Sequence, residues 1–173
     1  TVLVADGYYY ENLIIDNQSI ILASYLLLDN DTSHIANTII DGGQNGSVIY
    51  MNNEVNDSNS VLYGLTIANG FAEKGAGMHL YKSNPLITKV IISSNTAENI
   101  GGGIYLNGSN PSMTDVTIPS GTTYSPRVAT EAGSISSLTI SSGAILDVTT
   151  SGILESWGTT VNGTLTITGG TFN

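Results

Sequence analysis

GGGIYLNGSNP, residues 101–111, repeats GAGMHLYKSNP, residues 75–85. Six of the eleven positions are identical, among them the first and third glycines and the closing Ser-Asn-Pro. Between these fixed points polar and apolar residues alternate. Strand alternation predicts Met78 and Leu80, then Ile104 and Leu106, on an inward face, with His79 and Tyr105 outward on adjacent units. The glycines predict turns that need positive φ or lack room for a side chain. Pro85 and Pro111 fix φ at a corner that need not donate a hydrogen bond. Asn84 and Asn110, just before them, are placed to stack as a polar ladder. The phrase reads as shape rather than chemistry.

The same interval runs outward along the chain. Ile15, Ile40, Ile67, Ile92 and Ile118 each sit at or near the end of a short β-branched run, with nearly equal steps between them. A fixed period of this size is the signature of a repeat architecture. The runs are short, rich in Ile, Val and Thr, and bounded by turn formers, which predicts strands. No stretch carries a helical period long enough for a helix of useful length. The unit Leu65–Val90 contains about three strands, in GLTI, GMHLY and LITKV. Three strands and three turns make one coil of a solenoid, each coil burying its inner face against the next.

These phrases carry a resemblance. ADGYYYENLIID, residues 5–16, resembles the first coil of the right-handed parallel β-helix group, the fold of pectate lyases and of many secreted surface proteins, which often reads Gly-x-Tyr-x-Glu-x-Leu before a strand. NPLITKVIISSN and NPSMTDVTI are similar to that group's commonest repeat phrase. The resemblance covers residues 1–118. It implies an all-β fold, a right-handed single-stranded parallel β-helix (solenoid) of about six coils, each of roughly 25–27 residues. It also implies a secreted or cell-surface protein, bacterial in origin. It is specific for fold and not for activity, because the group includes lyases, hydrolases, adhesins and structural shafts.

Residues 119–133, PSGTTYSPRVATEAG, break the phrase and read as a connector or an irregular coil. From 134 to 173 the rhythm is finer, with strand–turn pieces such as ILDVTTSG and TLTITGG. Ile140 and Ile167 are again one such interval apart, so these leaner repeats are expected to continue the same helix. The chain opens without an initiator Met or a visible signal peptide and is read as a processed product or a segment of something longer.

Composition narrows the partners. Four Lys and Arg against 14 Asp and Glu give a net charge of −10, so the basic footprint of nucleic-acid binding is absent. The apolar runs are too short and too interrupted to span a bilayer, which predicts no membrane insertion. With no cysteine, disulfides and thiolate metal sites are excluded.

Residues that could carry chemistry are few. The β-helix galacturonases carry Asp-Asp, Gly-His-Gly and Arg-Ile-Lys signatures, and this chain has none of them. The lyases use acidic calcium ligands with an Arg or Lys base. Arg127 is the only arginine, and Lys89 with Asp115 is the nearest basic–acidic pairing, read as a surface contact between coils. DNDTSH, residues 29–34, sets Asp29 and Asp31 at alternate positions beside His34, a pattern able to chelate calcium, but the Gly and Glu of a full calcium loop are absent and a solvated turn is the favoured reading. Glu54 and Asp57 form a similar acidic loop. His34 and His79 are the only histidines, and no nucleophile elbow is present. Aromatic rings give the best binding signal. Tyr81 and Tyr105 with His79 form a candidate outward platform for sugar faces, joined by Tyr8–Tyr10 and Tyr63, against the plainer reading of cross-strand packing.

The sequence therefore predicts a non-catalytic extracellular structural or adhesive module, self-associating end to end through its solenoid ends into a filament or surface layer. The alternative is a polysaccharide-binding module or a fragment of a polysaccharide lyase or hydrolase. No cofactor is called for beyond calcium at Asp29 and Asp31. Glycans are the candidate partners besides a second copy.

Overall fold

The chain makes the same tour of three parallel sheets again and again. A computed structural model describes residues 1–53, 59–109 and 111–117, and beyond them the backbone pairing of four short strands. The first tour is β1 (Val2–Val4), β2 (Gly7–Tyr10) and β3 (Leu13–Asp16). The second is β4 (Ile21–Ser24), two helical turns α1 (Leu26–Asp29) and α2 (Ser33–Asn37), then β5 (Thr38–Asp41) and β6 (Ile49–Asn52). The third is β7 (Val61–Tyr63), β8 (Thr66–Ala68), β9 (Phe71–Lys74) and β10 (Met78–Tyr81). The fourth is β11 (Leu86–Thr88), β12 (Ile91–Ser93), β13 (Thr96–Ile100) and β14 (Ile104–Asn107). A fifth begins with β15 (Ser112–Thr114) and reaches β16 (Val128–Glu131) and β17 (Thr139–Ile140). The pair β18 (Ile153–Leu154) and β19 (Thr171–Phe172) bond to each other.

Sheet 1 is ordered β1-β4-β7-β11-β15-β17, sheet 2 β2-β5-β8-β12, and sheet 3 β3-β6-β10-β14-β16. Every pairing between these strands is parallel. Strand β16 lies inside the segment read as a connector or irregular coil, and it pairs in register with β14.

Register turns the sequence period into apolar columns. Leu22, Leu62, Ile87 and Met113 align on sheet 1. Ile40, Ile67 and Ile92 align on sheet 2, and Ile49, Met78 and Ile104 on sheet 3. All belong to one buried core. Met78, Leu80, Ile104 and Leu106 are fully buried, as their alternation predicts. The repeated glycines Gly75 and Gly101 hold φ of +61° and +71°, and a Cβ there would lie 2.6 Å and 2.8 Å from a backbone carbonyl oxygen. Only glycine fits both demands.

Two expectations are corrected. Ile15 does not open the Ile40 column: it pairs with Met51 on sheet 3, and Tyr9 is the residue beside Ile40. The physical reason is the helical insert between Ser24 and Thr38, which lengthens that tour relative to the sequence period. The insert is the second correction, since an entirely strand-and-turn repeat was expected. It is too short to show a helical period. Its first turn ends at Asn30 in the left-handed region, φ +63°, whose N–H donates to the Leu26 carbonyl. Ile118 and Asn110, two members of the predicted repeats, lie outside the described residues.

Buried polar groups bond between successive tours. Asn95 is fully buried; its Oδ1 accepts from Gly70 N at 2.7 Å and its Nδ2 donates to the Ile67 carbonyl at 3.1 Å. Ser109 Oγ accepts from Ser83 N at 3.0 Å, both residues being buried. Replacing Asn95 by Ala orphans a buried N–H and a buried carbonyl. The expected cost is about 2 kcal/mol, read as a lower urea midpoint with an unchanged slope.

Candidate functional site

Apolar surface is concentrated at one end of the tour. Of the eleven exposed large hydrophobic residues among those described, nine lie between Val2 and Leu28. They include Leu3 on β1, Tyr8 and Tyr10 on β2, and Ile14 on β3, which is 74% exposed. The three strands of this first tour are the outermost members of sheets 1, 2 and 3 on the same side. These strands surround a cavity of about 570 Å³ that opens over the core, lined by Val2, Val4, Leu13, Ile15, Leu22 and Ile40 among others. Residues 1–73 contain no Lys, Arg or Pro, so the charges that guard these strands against pairing are carboxylates alone, such as Asp16 on β3. This mouth is the candidate functional site. The triple tyrosine hints at it, because adjacent strand residues cannot all face inward: Tyr9 turns in and donates to the Ala5 carbonyl at 2.9 Å, while its neighbours face out.

The predicted aromatic platform on sheet 3 is built differently from the expectation. His79 stands between Tyr50 and Tyr105, edge to face, with ring centroids at 5.0 Å and 4.8 Å. These distances match the spacing of parallel strands in register, roughly 4.8 Å, so each ring covers the next. Tyr105 is on the outward side but only 1% exposed, which corrects its reading as an open sugar platform. Its ring also carries the Lys74 ammonium at 5.4 Å, and Tyr81 carries that of Lys82 at 5.0 Å. Tyr81 belongs to a separate outward column with Asn52 and Asn107, and Tyr63 lies on sheet 1. The sequence reading missed Tyr50, although aligning IYMN with MHLY and IYLN reveals it.

Asp29 and Asp31 do not converge on a common point for calcium. Each turns its Oδ1 to the backbone two residues on, accepting at 2.9 Å from Asp31 N and from Ser33 N. These bonds, with the nearby His34, hold both carboxyls below the usual carboxylate range. Among the described residues no group of three or more His, Cys, Asp or Glu side chains is placed to hold a metal ion. Asp29 Oδ2 instead meets His34 Nε2 at 3.0 Å, and His34 Nδ1 meets Asp6 Oδ1 at 2.5 Å. The Asp6 contact bridges 28 positions of sequence and has no local signal. Glu54, Asp57 and Arg127 lie outside the described residues.

Lys89 and Asp115 form a surface contact between successive tours, Nζ to Oδ2 at 3.0 Å, each about one-third exposed. No helix of the described residues is long and apolar enough to cross a membrane. No protein-family model, no curated protein and no solved structure matches this chain.

Proposed function

We propose that the chain is a right-handed parallel β-helix module of an extracellular or cell-surface protein, structural or adhesive rather than catalytic, and that its first coil joins it to a second copy. The observation that carries this reading is the mouth of the first tour: the outermost strands of three parallel sheets around exposed apolar side chains. A strand added beside these three continues the ladders while covering the apolar patch. The tour through sheets 1, 2 and 3 in constant order supports the β-helix, and stacking between chains repeats the physics of stacking within one. Rings already capped by lysines or by one another favour packing over glycan stacking on sheet 3. Lys89 and Asp115, the nearest acid–base pairing, satisfy each other at the surface.

Light scattering and electron microscopy across a concentration series test the proposal. The expected result is a mass that grows with concentration, with end-joined particles. Leu3→Lys combined with Ile14→Lys places a charge on two of the edges at exposed positions, where the cost to folding is within about 0.5 kcal/mol each. This variant is expected to keep the circular dichroism of the parent and to stay monomeric. A parent that is monomeric at every concentration, or a folded variant that associates like the parent, overturns the proposal.

A further inference from the structure

We propose that His34 is a pH-dependent clasp that fastens the helical insert to the first coil. Its imidazole lies between two carboxylates from different parts of the fold: Asp6, in the turn between β1 and β2, and Asp29, at the end of α1. Both ring nitrogens face carboxylate oxygens, at 2.5 Å and 3.0 Å. A neutral imidazole has one N–H and can donate to only one of them. The imidazolium donates to both and adds its charge. The ring is 15% exposed, against 42% and 53% for the two carboxylates, so it is the sheltered centre of the arrangement.

The surroundings fit a clasp. Thr38 Oγ1, at the start of β5, donates to the same Asp6 oxygen at 3.3 Å. The Tyr25 ring meets His34 edge-on at 6.1 Å and also lines the mouth cavity, so the insert and the mouth share a wall. Asp31, between the helices, is the third carboxylate near the ring and adds a weaker field. On the side of the insert toward β12, Lys89 and Asp115 border a small groove with Thr32, Ile35 and Ala36 and neutralise each other. Thr66 Oγ1 of β8 donates to the Ile35 carbonyl at 2.6 Å. The contacts of His34 with Asp6 and Asp29 tie α1 and α2 to the β1–β2 turn.

The hydrogen bond to Asp6, then that to Asp29, raises the His34 pKa above its ordinary 6.5, against a smaller opposing effect of burial. A raised folded value means that the stabilisation is complete below 6.5 and is lost as pH rises through the folded value. For Asp29 the backbone bond from Asp31 and the bond with His34 lower the pKa from 3.8. Its contribution is present above 3.8 and is lost as pH falls through the lowered value. The insert is therefore held most firmly in mildly acidic solution and loosens toward alkaline pH.

The inference does not depend on self-association, and it is tested on the edge-charged monomeric variant as well as the parent. Proton NMR follows the His34 ring while amide exchange follows residues 26–37 from pH 5 to 8. His34 is expected to titrate above 6.5, and Asp6→Asn to bring it down toward that value. The opening constant of the insert, corrected for intrinsic exchange, is expected to rise with the same midpoint. The rise is about tenfold for each unit by which the folded value exceeds the ordinary one. In His34→Gln the opening constant is expected to be independent of pH. A His34 that titrates at or below 6.5, or insert protection that ignores the titration, overturns the inference.

Discussion

Ile92→Asp is expected to abolish cooperative folding. Ile92 is fully buried and sits in the column with Ile67 and Ile40, with its Cγ2 close to Gly77. Among the described residues no basic side chain belongs to this core to answer a carboxylate. The substituted group is therefore either buried without a partner or forces the column open, at a cost of more than about 4 kcal/mol. Domains of ordinary stability have about 5–15 kcal/mol in total. Coils of a repeat fold are stable mainly as neighbours, so the loss is expected to spread through the adjacent tours rather than stay local. Thermal melting by circular dichroism checks this, with Leu86→Asp as the control. The control position is 39% exposed on β11, away from the mouth, and is expected to move the melt by no more than a few degrees. A variant at position 92 that melts like the parent contradicts the inward assignment and the columns built on it.

Gly70→Ala carries the second large effect, and its cause is space. A Cβ at Gly70 would lie 2.0 Å from the Ala76 carbonyl oxygen and 2.9 Å from Val48 Cγ2. The backbone cannot slip aside, because Gly70 N donates to Asn95 and Gly70 O accepts from Thr96 N. The expected cost is about 3 kcal/mol, or a melting temperature lower by about 10 °C. The identical substitution at Gly7 meets nothing closer than the Tyr9 ring at 3.5 Å. There it is expected to be neutral or slightly stabilising, by up to about 1 kcal/mol, through the lower entropy of the unfolded chain. Equal effects at the two positions would contradict the close approach of the segment around Gly70 to the turn at Ala76.

What the sequence makes legible follows from what is local and periodic. The Ile40–Ile67–Ile92 column and the inward pairs Met78/Leu80 and Ile104/Leu106 are readable because strand alternation and a nearly constant repeat length act together. Where the coil length changes, the reading slips. Ile15 matches the period numerically yet belongs to sheet 3, because the insert makes its tour longer than the others. Alternation also gives a face and not an exposure. Tyr105 points outward as predicted and is nonetheless buried, with the His79 ring on the neighbouring strand and the Lys74 ammonium packed against it. The mouth was legible in part, through the adjacent tyrosines and the lack of Lys, Arg and Pro, but the cavity requires strands of three sheets to be brought together. The Asp6–His34–Asp29 arrangement was visible only in its local half, DNDTSH. Its other half comes from a turn distant in sequence, brought near by the path of the insert over the first coil.

Joining of copies through the first coil is the central functional claim, and amide exchange in β1, β2 and β3 tests it most directly. Exchange is measured at dilute and at high protein concentration, at one pH, with residues of β8 and β12 as internal standards. Protection of the edge amides that increases with concentration while the standards stay constant is the predicted result. Edge amides that exchange equally fast at both concentrations, beneath an intact core, would contradict it.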